Sequence, residues 1–232
     1  MAVLGPHEPP SGGRAPRTHL AAPLAFVMLV ALLSVFATAA THGVLAQAPQ
    51  GRDANYITGC TNITSPGHYV ISTNITGAQA AGYCIGVFVS DVVINGGGHW
   101  LTGNGEGFGI YVALGSTNVT IEDVAVASYY DGIVVKSSGV RVMDSTVSGN
   151  GWYGVYVNGT DDSVINSNVS DSWYGVYVNG DNDSIVNSAV SGNWKGVYVF
   201  GSQDSIVNSA VSGNRYGVYV NGTDDSVINS NV

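Results

Sequence analysis

The sequence predicts an all-β protein that folds as a parallel β-helix, a solenoid with coils of 21–23 residues. Its composition favours strands and turns, because 32 of the 232 residues are Gly and only 10% are charged. The tetrapeptide GVYV starts at Gly154, Gly175, Gly196 and Gly217, with a constant spacing of 21. Inside each repeat, apolar residues alternate at the period of a strand. A unit this short cannot bury its own apolar side, so the units must stack.

Residues 1–40 have the pattern of an export leader. Arg14 and Arg17 precede an apolar run from Leu20 to Ala40, which ends in small residues that suit a signal peptidase. If it is not cleaved, the same run is long enough to anchor the chain in a membrane. Both interpretations place the rest of the chain outside the cytoplasm, either secreted or at the cell surface. Residues 41–55 are predicted to form a linker.

The charge balance excludes some partners. Without residues 1–40 the chain has 15 acidic and 5 basic residues. Nucleic acid is therefore not an expected partner, because its binding requires a surface rich in Lys and Arg. Anionic lipid headgroups are not expected partners for the same reason. Solubility outside the cell accounts for the acidity.

Two cysteines, Cys60 and Cys84, fit an exported protein. They are 24 residues apart, and an oxidising compartment would allow them to form a disulfide. Two buried free thiols are the alternative. Both residues lie in the segment 56–85, which we expect to cap the N-terminal end of the solenoid, whose repeats occupy residues 86–232.

Looser copies of the tetrapeptide lie upstream, as GIVV at Gly132, GIYV at Gly109 and GVFV at Gly86. Stacked coils should place similar residues on one another. Two aliphatic columns do so, formed by Val164, Ile185, Ile206 and Val227 and by Val169, Val190, Val211 and Val232. A polar column between them predicts a structural ladder of side chains at a tight corner, and it contains Asn166, Asn187, Asn208, Asn229, Asp144 and Asp123.

The block from CTNITSPGHYV to LTGNG, followed by GIYVALGSTNVTIEDVAV, resembles the NosD-like and carbohydrate-binding or sugar-hydrolase proteins. The resemblance covers about residues 56–232 and implies a right-handed parallel β-helix. It does not imply one activity, because this architecture contains lyases, hydrolases, epimerases and inert surface proteins. It also implies no copper site. The soft ligands that copper needs are few after the leader: one Met, Met143, the two cysteines, and His42, His68 and His99.

Members of this fold that act on acidic polysaccharides use clustered carboxylates and a basic residue. The less regular residues 86–150 contain such groups close together in sequence, and the catalytic candidates are Asp123, Asp131, Lys136, Arg141 and Asp144. Lys195 and Arg215 interrupt columns that otherwise hold Tyr and Trp, and we interpret them as drift within the repeat.

A regular acidic column consists of Asp162, Asp183, Asp204 and Asp225. Carboxylates stacked at coil spacing repel one another, and a Ca²⁺ ion would relieve that repulsion. Asp is also a common turn residue that bonds its own backbone and needs no metal. We expect turn chemistry and no cofactor, with Ca²⁺ as the alternative.

Aromatic residues form two files along the repeats. Tyr156, Tyr177, Tyr198 and Tyr219 alternate with inward Val, and Trp152, Trp173 and Trp194 precede the glycine of their coils. Rows of exposed rings can pack against the apolar faces of sugars. The alternative is that the rings stack only on each other and stiffen the solenoid.

Seven Asn-x-Ser/Thr sequons are candidate glycosylation sites, at Asn62, Asn74, Asn118, Asn158, Asn168, Asn182 and Asn221. A chain this rich in Asn, Ser and Thr also produces sequons by chance.

The uniform coils favour a structural, adhesive or polysaccharide-binding role on the cell surface or in secretion, with polysaccharide or surface glycans as partners. Catalysis is less expected, because a catalytic coil should differ from its neighbours. The alternative is a polysaccharide lyase, glycoside hydrolase or uronate epimerase. Val232 completes an apolar column and no polar cap follows it, so we expect the reading frame to continue. If it does not, the bare coil predicts self-association.

Overall fold

The computed structural model describes residues 54–80 and 82–232. The predicted leader, residues 1–40, and most of the predicted linker, residues 41–55, lie outside these residues. The described part contains 24 strands and no helix, so it also has no helix that could span a membrane. The prediction of an all-β protein is confirmed.

The strands form three sheets, which we call A, B and C. Sheet A has nine strands: β1 (Asn55–Ile57), β3 (Gly67–Ile71), β6 (Val92–Asn95), β9 (Val119–Glu122), β12 (Val140–Met143), β15 (Ser163–Ile165), β18 (Ser184–Val186), β21 (Ser205–Val207) and β24 (Ser226–Ile228). Sheet B has eight: β2 (Thr61–Ile63), β5 (Tyr83–Val87), β8 (Phe108–Val112), β11 (Asp131–Val135), β14 (Tyr153–Val157), β17 (Tyr174–Val178), β20 (Lys195–Val199) and β23 (Tyr216–Val220). Sheet C has seven: β4 (Ile75–Thr76), β7 (Trp100–Thr102), β10 (Ala125–Ala127), β13 (Thr146–Ser148), β16 (Asn168–Ser170), β19 (Ala189–Ser191) and β22 (Ala210–Ser212).

From β5 onward the chain visits sheets B, A and C in turn, and each strand pairs in parallel with its counterpart in the next coil. About eight coils result. In the regular part the pairing joins residues 21 apart, such as Val155 with Val176 and Val164 with Ile185. The predicted parallel β-helix is therefore confirmed, together with the register of its regular coils.

The core is a stack of aliphatic layers between the three sheets. Val164, Ile185 and Ile206 pair in register on sheet A, and each is almost fully buried. Val169, Val190 and Val211 do the same on sheet C. Each such side chain contributes roughly 1.5–3 kcal/mol by burial, before the entropy of ordering the chain is subtracted. The last members of the two columns, Val227 and Val232, are exposed in the final coil.

The glycine that opens each GVYV is required by the narrow interior. A Cβ on Gly154 would lie 2.5 Å from Cγ1 of Val169 and 2.6 Å from the carbonyl oxygen of Gly175. Any larger residue would therefore push the core of sheet C away from sheet B.

The register predicted from the looser copy GVFV at Gly86 is wrong. Gly86 pairs with Tyr111, and Ile85 pairs with Ile110, so Cys84 occupies the place that Gly109 has in the next coil. The coil between them is two residues longer than the tetrapeptides suggest. Strands β1–β4 lie at the N-terminal ends of the three sheets, so the segment predicted as a cap contributes strands to the solenoid itself.

The corner between sheets A and C is made by residues in the left-handed backbone conformation. Asn166, Asn187, Asn208 and Asn229 have φ between 49° and 51°, and Asp123 and Asp144 have φ of 51°. Asn and Asp tolerate this conformation better than other non-glycine residues. Within the described residues the predicted ladder is formed by one side-chain bond, from Asn166 Nδ2 to Asp144 Oδ1 at 3.1 Å. The corner is thus structural mainly because of its backbone.

Candidate functional site: the aromatic face of sheet B

Rows of aromatic side chains cover the outer side of sheet B in the regular coils. In β14, Val155 and Val157 are buried, whereas Tyr153 and Tyr156 are half-buried and point away from the core. The same arrangement recurs in β17. We call this surface the aromatic face, and it consists of Trp152, Tyr153, Tyr156, Trp173, Tyr174, Tyr177, Trp194, Tyr198, Phe200, Tyr216 and Tyr219.

The predicted files are present in register. Tyr156, Tyr177, Tyr198 and Tyr219 pair across consecutive strands. In the tryptophan file, the ring centroids of Trp152 and Trp173 are 5.7 Å apart, and those of Trp173 and Trp194 are 4.9 Å apart. The rings are within 14° of parallel in both pairs. Ring stacking between coils therefore stabilises the solenoid, since such pairs contribute about 0.5–1.5 kcal/mol beyond their burial.

The aromatic face also remains accessible to solvent. The exposed fraction is 36% for Trp152, 39% for Trp173 and 50% for Tyr216. Most ring faces are in contact with a neighbouring ring, so the aromatic face presents ring edges and tyrosine hydroxyls to the solvent. Burial raises the pKa of Tyr153 and of Tyr177, which keeps both hydroxyls protonated and able to donate hydrogen bonds. A flat surface of ring edges and hydroxyls can contact both the apolar and the polar parts of a sugar.

Three cationic side chains pack against rings of the aromatic face. Lys195 Nζ lies 4.4 Å from the ring centroid of Tyr174 and 4.6 Å from that of Tyr198. Arg215 Cζ lies 4.0 Å from the Trp194 ring, and Lys136 Nζ lies 4.1 Å from the Tyr156 ring. Each contact is a cation–π interaction of about 0.5–1 kcal/mol at an exposed site.

Sequence reasoning did not include one file of this surface among the candidates for sugar binding. Tyr153, Tyr174 and Tyr216 share a column with Lys195, and their rings contact the predicted tyrosine file, as in the 4.9 Å approach of Tyr153 to Tyr156. The sequence contains the pattern that could have identified this file, because these residues precede the glycine of GVYV at the same spacing of 21. Phe200 was also missed, and it stacks on Tyr177 at 5.4 Å.

The five catalytic candidates are divided among different parts of the solenoid. Asp123 and Asp144 are exposed at the corner between sheets A and C, and Arg141 is exposed on sheet A. Asp131 is the first residue of β11 on sheet B, and Lys136 directly follows that strand. Asp131 is buried and accepts a hydrogen bond from the backbone N–H of Tyr153 at 3.0 Å. Closeness in sequence therefore does not produce one cluster, because consecutive residues of a coil face different directions.

Arg141 lines an open groove of about 410 Å³ on sheet A together with His68, Asp91, Asn118, Thr120 and others. Asp91 Oδ1 accepts a hydrogen bond from Asn118 Nδ2 at 2.6 Å. His68 and Arg141 lie in the same column of the sheet, separated by Val93 and Thr120. The groove is thus lined by both Arg141 and His68, three strands apart, and by none of the other four candidates.

The acidic column is buried inside the turn between sheets B and A. Asp162, Asp183 and Asp204 are each at most 4% exposed. The backbone N–H of Asp162 donates to Asp183 Oδ1 at 2.7 Å, and that of Asp183 donates to Asp204 Oδ1 at 2.7 Å. Each carboxyl was predicted to bond the backbone of its own turn. It accepts a hydrogen bond from the backbone of the preceding coil instead.

The second oxygen of each carboxyl, Oδ2, is buried without a hydrogen-bond partner in Asp162, Asp183, Asp204 and Asp225. Burial raises the pKa of Asp162 to about 7, of Asp183 to about 8 and of Asp204 to about 6. Asp183, in the middle of the column, is therefore protonated near neutral pH, which reduces the charge repulsion that a Ca²⁺ ion would relieve in the alternative interpretation.

Potential metal ligands do not gather in the described part of the chain. No group of three or more His, Cys, Asp or Glu side chains there has an arrangement that could hold a metal ion. His68 lies on sheet A, His99 precedes β7 of sheet C, and Met143 ends β12. His42 is outside the described residues. These donors do not fit a copper site, which needs several soft ligands at one place.

Cys60 and Cys84 are joined by a disulfide across the first coils. Of the predicted glycosylation sites, Asn158 is half-buried and the other six are exposed: Asn62, Asn74, Asn118, Asn168, Asn182 and Asn221. Asn118 and Asn182 already donate side-chain hydrogen bonds to Asp91 and Asp161. Glycosylation stays a prediction.

A protein family and a solved structure are similar to this chain. The NosD family, described as periplasmic copper-binding protein, matches residues 90–232. No curated protein matches the chain. Among solved structures, the A-module of mannuronan C-5 epimerase AlgE4 from Azotobacter vinelandii is similar, with 16% identity and a TM-score of 0.42 over 76% of this chain and 57% of that module. The chain thus spans little more than half of the module's length, and a likeness of this size says nothing about activity. The match to the family covers more than half of the chain, which therefore belongs to the NosD family of β-helix proteins.

Proposed function

We propose that this chain is an extracytoplasmic β-helix protein that binds polysaccharide along the aromatic face. The observation that carries the proposal is the alignment of exposed rings with the solenoid axis, at the spacing of one coil. A polymer lying along the axis would meet equivalent rings at every coil. Periodic surfaces of this kind suit a periodic ligand, and a polysaccharide is one.

The regular part of the chain provides the length that such binding needs. Four consecutive coils, from β14 to β23, have a Tyr at the position of Tyr156, and the first three also have a Trp at the position of Trp152. At about 4.8 Å per coil the surface extends over several sugar units. Many weak contacts along one polymer then add to a useful affinity, even though each ring is only partly exposed.

Several features favour a location outside the cytoplasm. The leader pattern in residues 1–40 suits export. The disulfide between Cys60 and Cys84 suits an oxidising compartment. The family to which the chain belongs is described as periplasmic. That description also mentions copper, but the donors of this chain do not fit a copper site, and we include no metal in the proposal.

The test is binding of the purified protein to a panel of soluble polysaccharides, measured by affinity electrophoresis and calorimetry. We expect at least one polysaccharide to bind, and we expect the double variant Trp152→Ala/Trp173→Ala to weaken that binding about tenfold, the loss typical of a stacked aromatic anchor. Trp100→Ala is the matched control, because Trp100 is 41% exposed on sheet C. Equal losses in both variants, or no binding to any member of the panel, would contradict the proposal.

The enzyme alternative is less well supported, because the five catalytic candidates do not form one cluster. The same panel tests it. Release of reducing ends or unsaturated products by the wild type, and its loss in Lys136→Ala or Arg141→Ala, would indicate a polysaccharide-active enzyme in place of a binding protein.

A further inference from the structure

We propose that the polysaccharide bound by the aromatic face is anionic, a chain whose carboxylate or sulfate groups pair with Lys195 and Arg215. The inference rests on the proposed function, since it names the class of ligand for the same surface. Its starting point is the unequal distribution of charge over the solenoid.

Lys and Arg are rare in this protein, yet most of those in the described residues lie on the aromatic face. The described residues contain four, and Lys136, Lys195 and Arg215 lie on the aromatic face, with Arg141 on sheet A. Exposed carboxylates are located at the corners of the coils. Asp161, Asp181 and Asp224 lie in the turn between sheets B and A, and Asp171 lies between sheets C and B. Asp131 is the acidic residue of the strands of sheet B, and it is buried.

Lys195 keeps donors available for a ligand. Its Nζ donates one hydrogen bond to Tyr174 Oη at 2.7 Å, and an ammonium group has three donors. The same hydrogen bond raises the pKa of Lys195, so the group remains charged at any physiological pH. The Tyr174 and Tyr198 rings hold the ammonium in place, which reduces the entropy that binding would cost.

Arg215 is placed for bidentate recognition. Its guanidinium packs on the Trp194 ring at 4.0 Å, and among the described residues we find no hydrogen bond or ion pair from its N–H groups. A guanidinium stacked on a ring keeps its N–H edges free, and these edges match the two oxygens of a carboxylate or sulfate. Arg215 and Lys195 belong to successive coils, so one polymer along the axis can reach both.

Random drift in the repeat would not be expected to place both basic residues against aromatic rings. Each replaces an aromatic residue in its column, and each packs on a ring of the preceding coil, Lys195 on Tyr174 and Arg215 on Trp194. Neutral sugars require no fixed cation, whereas an anionic sugar paired with a charged donor gains a strong hydrogen bond.

The experiment uses two matched pairs of probes: polygalacturonate against its methyl ester, and dextran sulfate against dextran. We expect the full chain to bind the charged member of at least one pair more tightly, with an affinity that falls as salt is added. The first pair reports on carboxylate and the second on sulfate. In Lys195→Met/Arg215→Leu, which keeps the apolar stems, affinity for the charged member should fall about tenfold or more, while neutral binding should change little.

Arg141→Leu is the control, because it removes a positive charge away from the aromatic face. Circular dichroism and tryptophan emission check that every variant is folded. Equal affinity for charged and neutral members would overturn the inference and leave polysaccharide binding intact. An equal loss in Arg141→Leu, or an equal loss for neutral and charged probes in the double variant, would also overturn it. Absence of binding to every probe and to the wider panel would overturn the proposed function itself.

Discussion

Replacing Asp183 by Asn should make the stability of the protein less dependent on pH. Burial raises the pKa of Asp183 from 3.8 to about 8. Between these values the folded protein retains a proton that the unfolded chain has lost. The free energy of unfolding of the wild type must therefore fall as the pH rises from about 4 to about 8. The amide introduced by Asp183→Asn has no proton to lose, so the variant would not share this part of the decline.

The magnitude follows from linkage. One proton held only by the folded state changes the free energy of unfolding by about 1.4 kcal/mol for each pH unit. From pH 5 to pH 7 the Asp183→Asn protein should thus gain ~3 kcal/mol relative to the wild type. Below about pH 4, where the carboxyl is protonated in both states, the two should be similar, because the amide oxygen can still accept the hydrogen bond from the N–H of Asp162.

Urea unfolding at pH 5, 6 and 7, followed by tryptophan emission, measures this difference. Equal m-values in the two proteins would show that the change lies in stability and not in the compactness of either state. Asp123→Asn is the control, since it removes an equal charge at an exposed corner where other coils already have Asn. If the Asp183→Asn and wild-type curves shift in parallel over this range, the buried carboxyl does not hold its proton and the reasoning fails.

Two further predictions concern the backbone of the coils. Gly175→Ala should destabilise the protein by about 1–3 kcal/mol, because the new Cβ would lie 2.5 Å from Val190 Cγ1. Gly151→Ala is the control, because its Cβ would meet nothing closer than 3.6 Å, and it should leave the thermal midpoint nearly unchanged. Similar losses of stability in both variants would refute the steric argument. Asn187→Ala should cost about 1 kcal/mol, because Asn187 has a φ of 51°, while Asn187→Gly should be close to neutral. Calorimetry on this pair decides the matter, since a greater loss in the Gly variant would mean that the side chain matters more than the backbone.

Much of the solenoid could be predicted from local patterns. The spacing of 21 between GVYV repeats requires that each coil lies on an equivalent coil, and this requirement aligned Val164 with Ile185 and Tyr156 with Tyr177. The same reasoning failed where the repeat is irregular. At Gly86 the tetrapeptide resembled the others, but the chain between Val87 and Phe108 contains extra residues in its turns, so the true partner of Gly86 is Tyr111.

The direction of polar side chains at the corners could not be predicted in this way. Asn166 and Ser167 are adjacent polar residues, yet Asn166 is exposed and Ser167 is buried. The buried column is the more regular ladder: the N–H of Ser167 donates to Ser188 Oγ at 3.1 Å, and that of Ser188 donates to Ser209 Oγ at 3.1 Å. Asp183 was likewise expected to bond its own turn, and it bonds the neighbouring coil.

The sequence by itself therefore determined the fold class, the coil length, the aliphatic columns and the aromatic files, because a strict period and a strand alternation are local properties that stacking must respect. Only the tertiary structure decided which polar residues are buried, which cations contact which rings, and that Asp123, Asp131, Lys136, Arg141 and Asp144 do not form one cluster. The reason is geometrical. A coil closes through three sheets, so residues a few positions apart face different sides, while residues a full coil apart become neighbours.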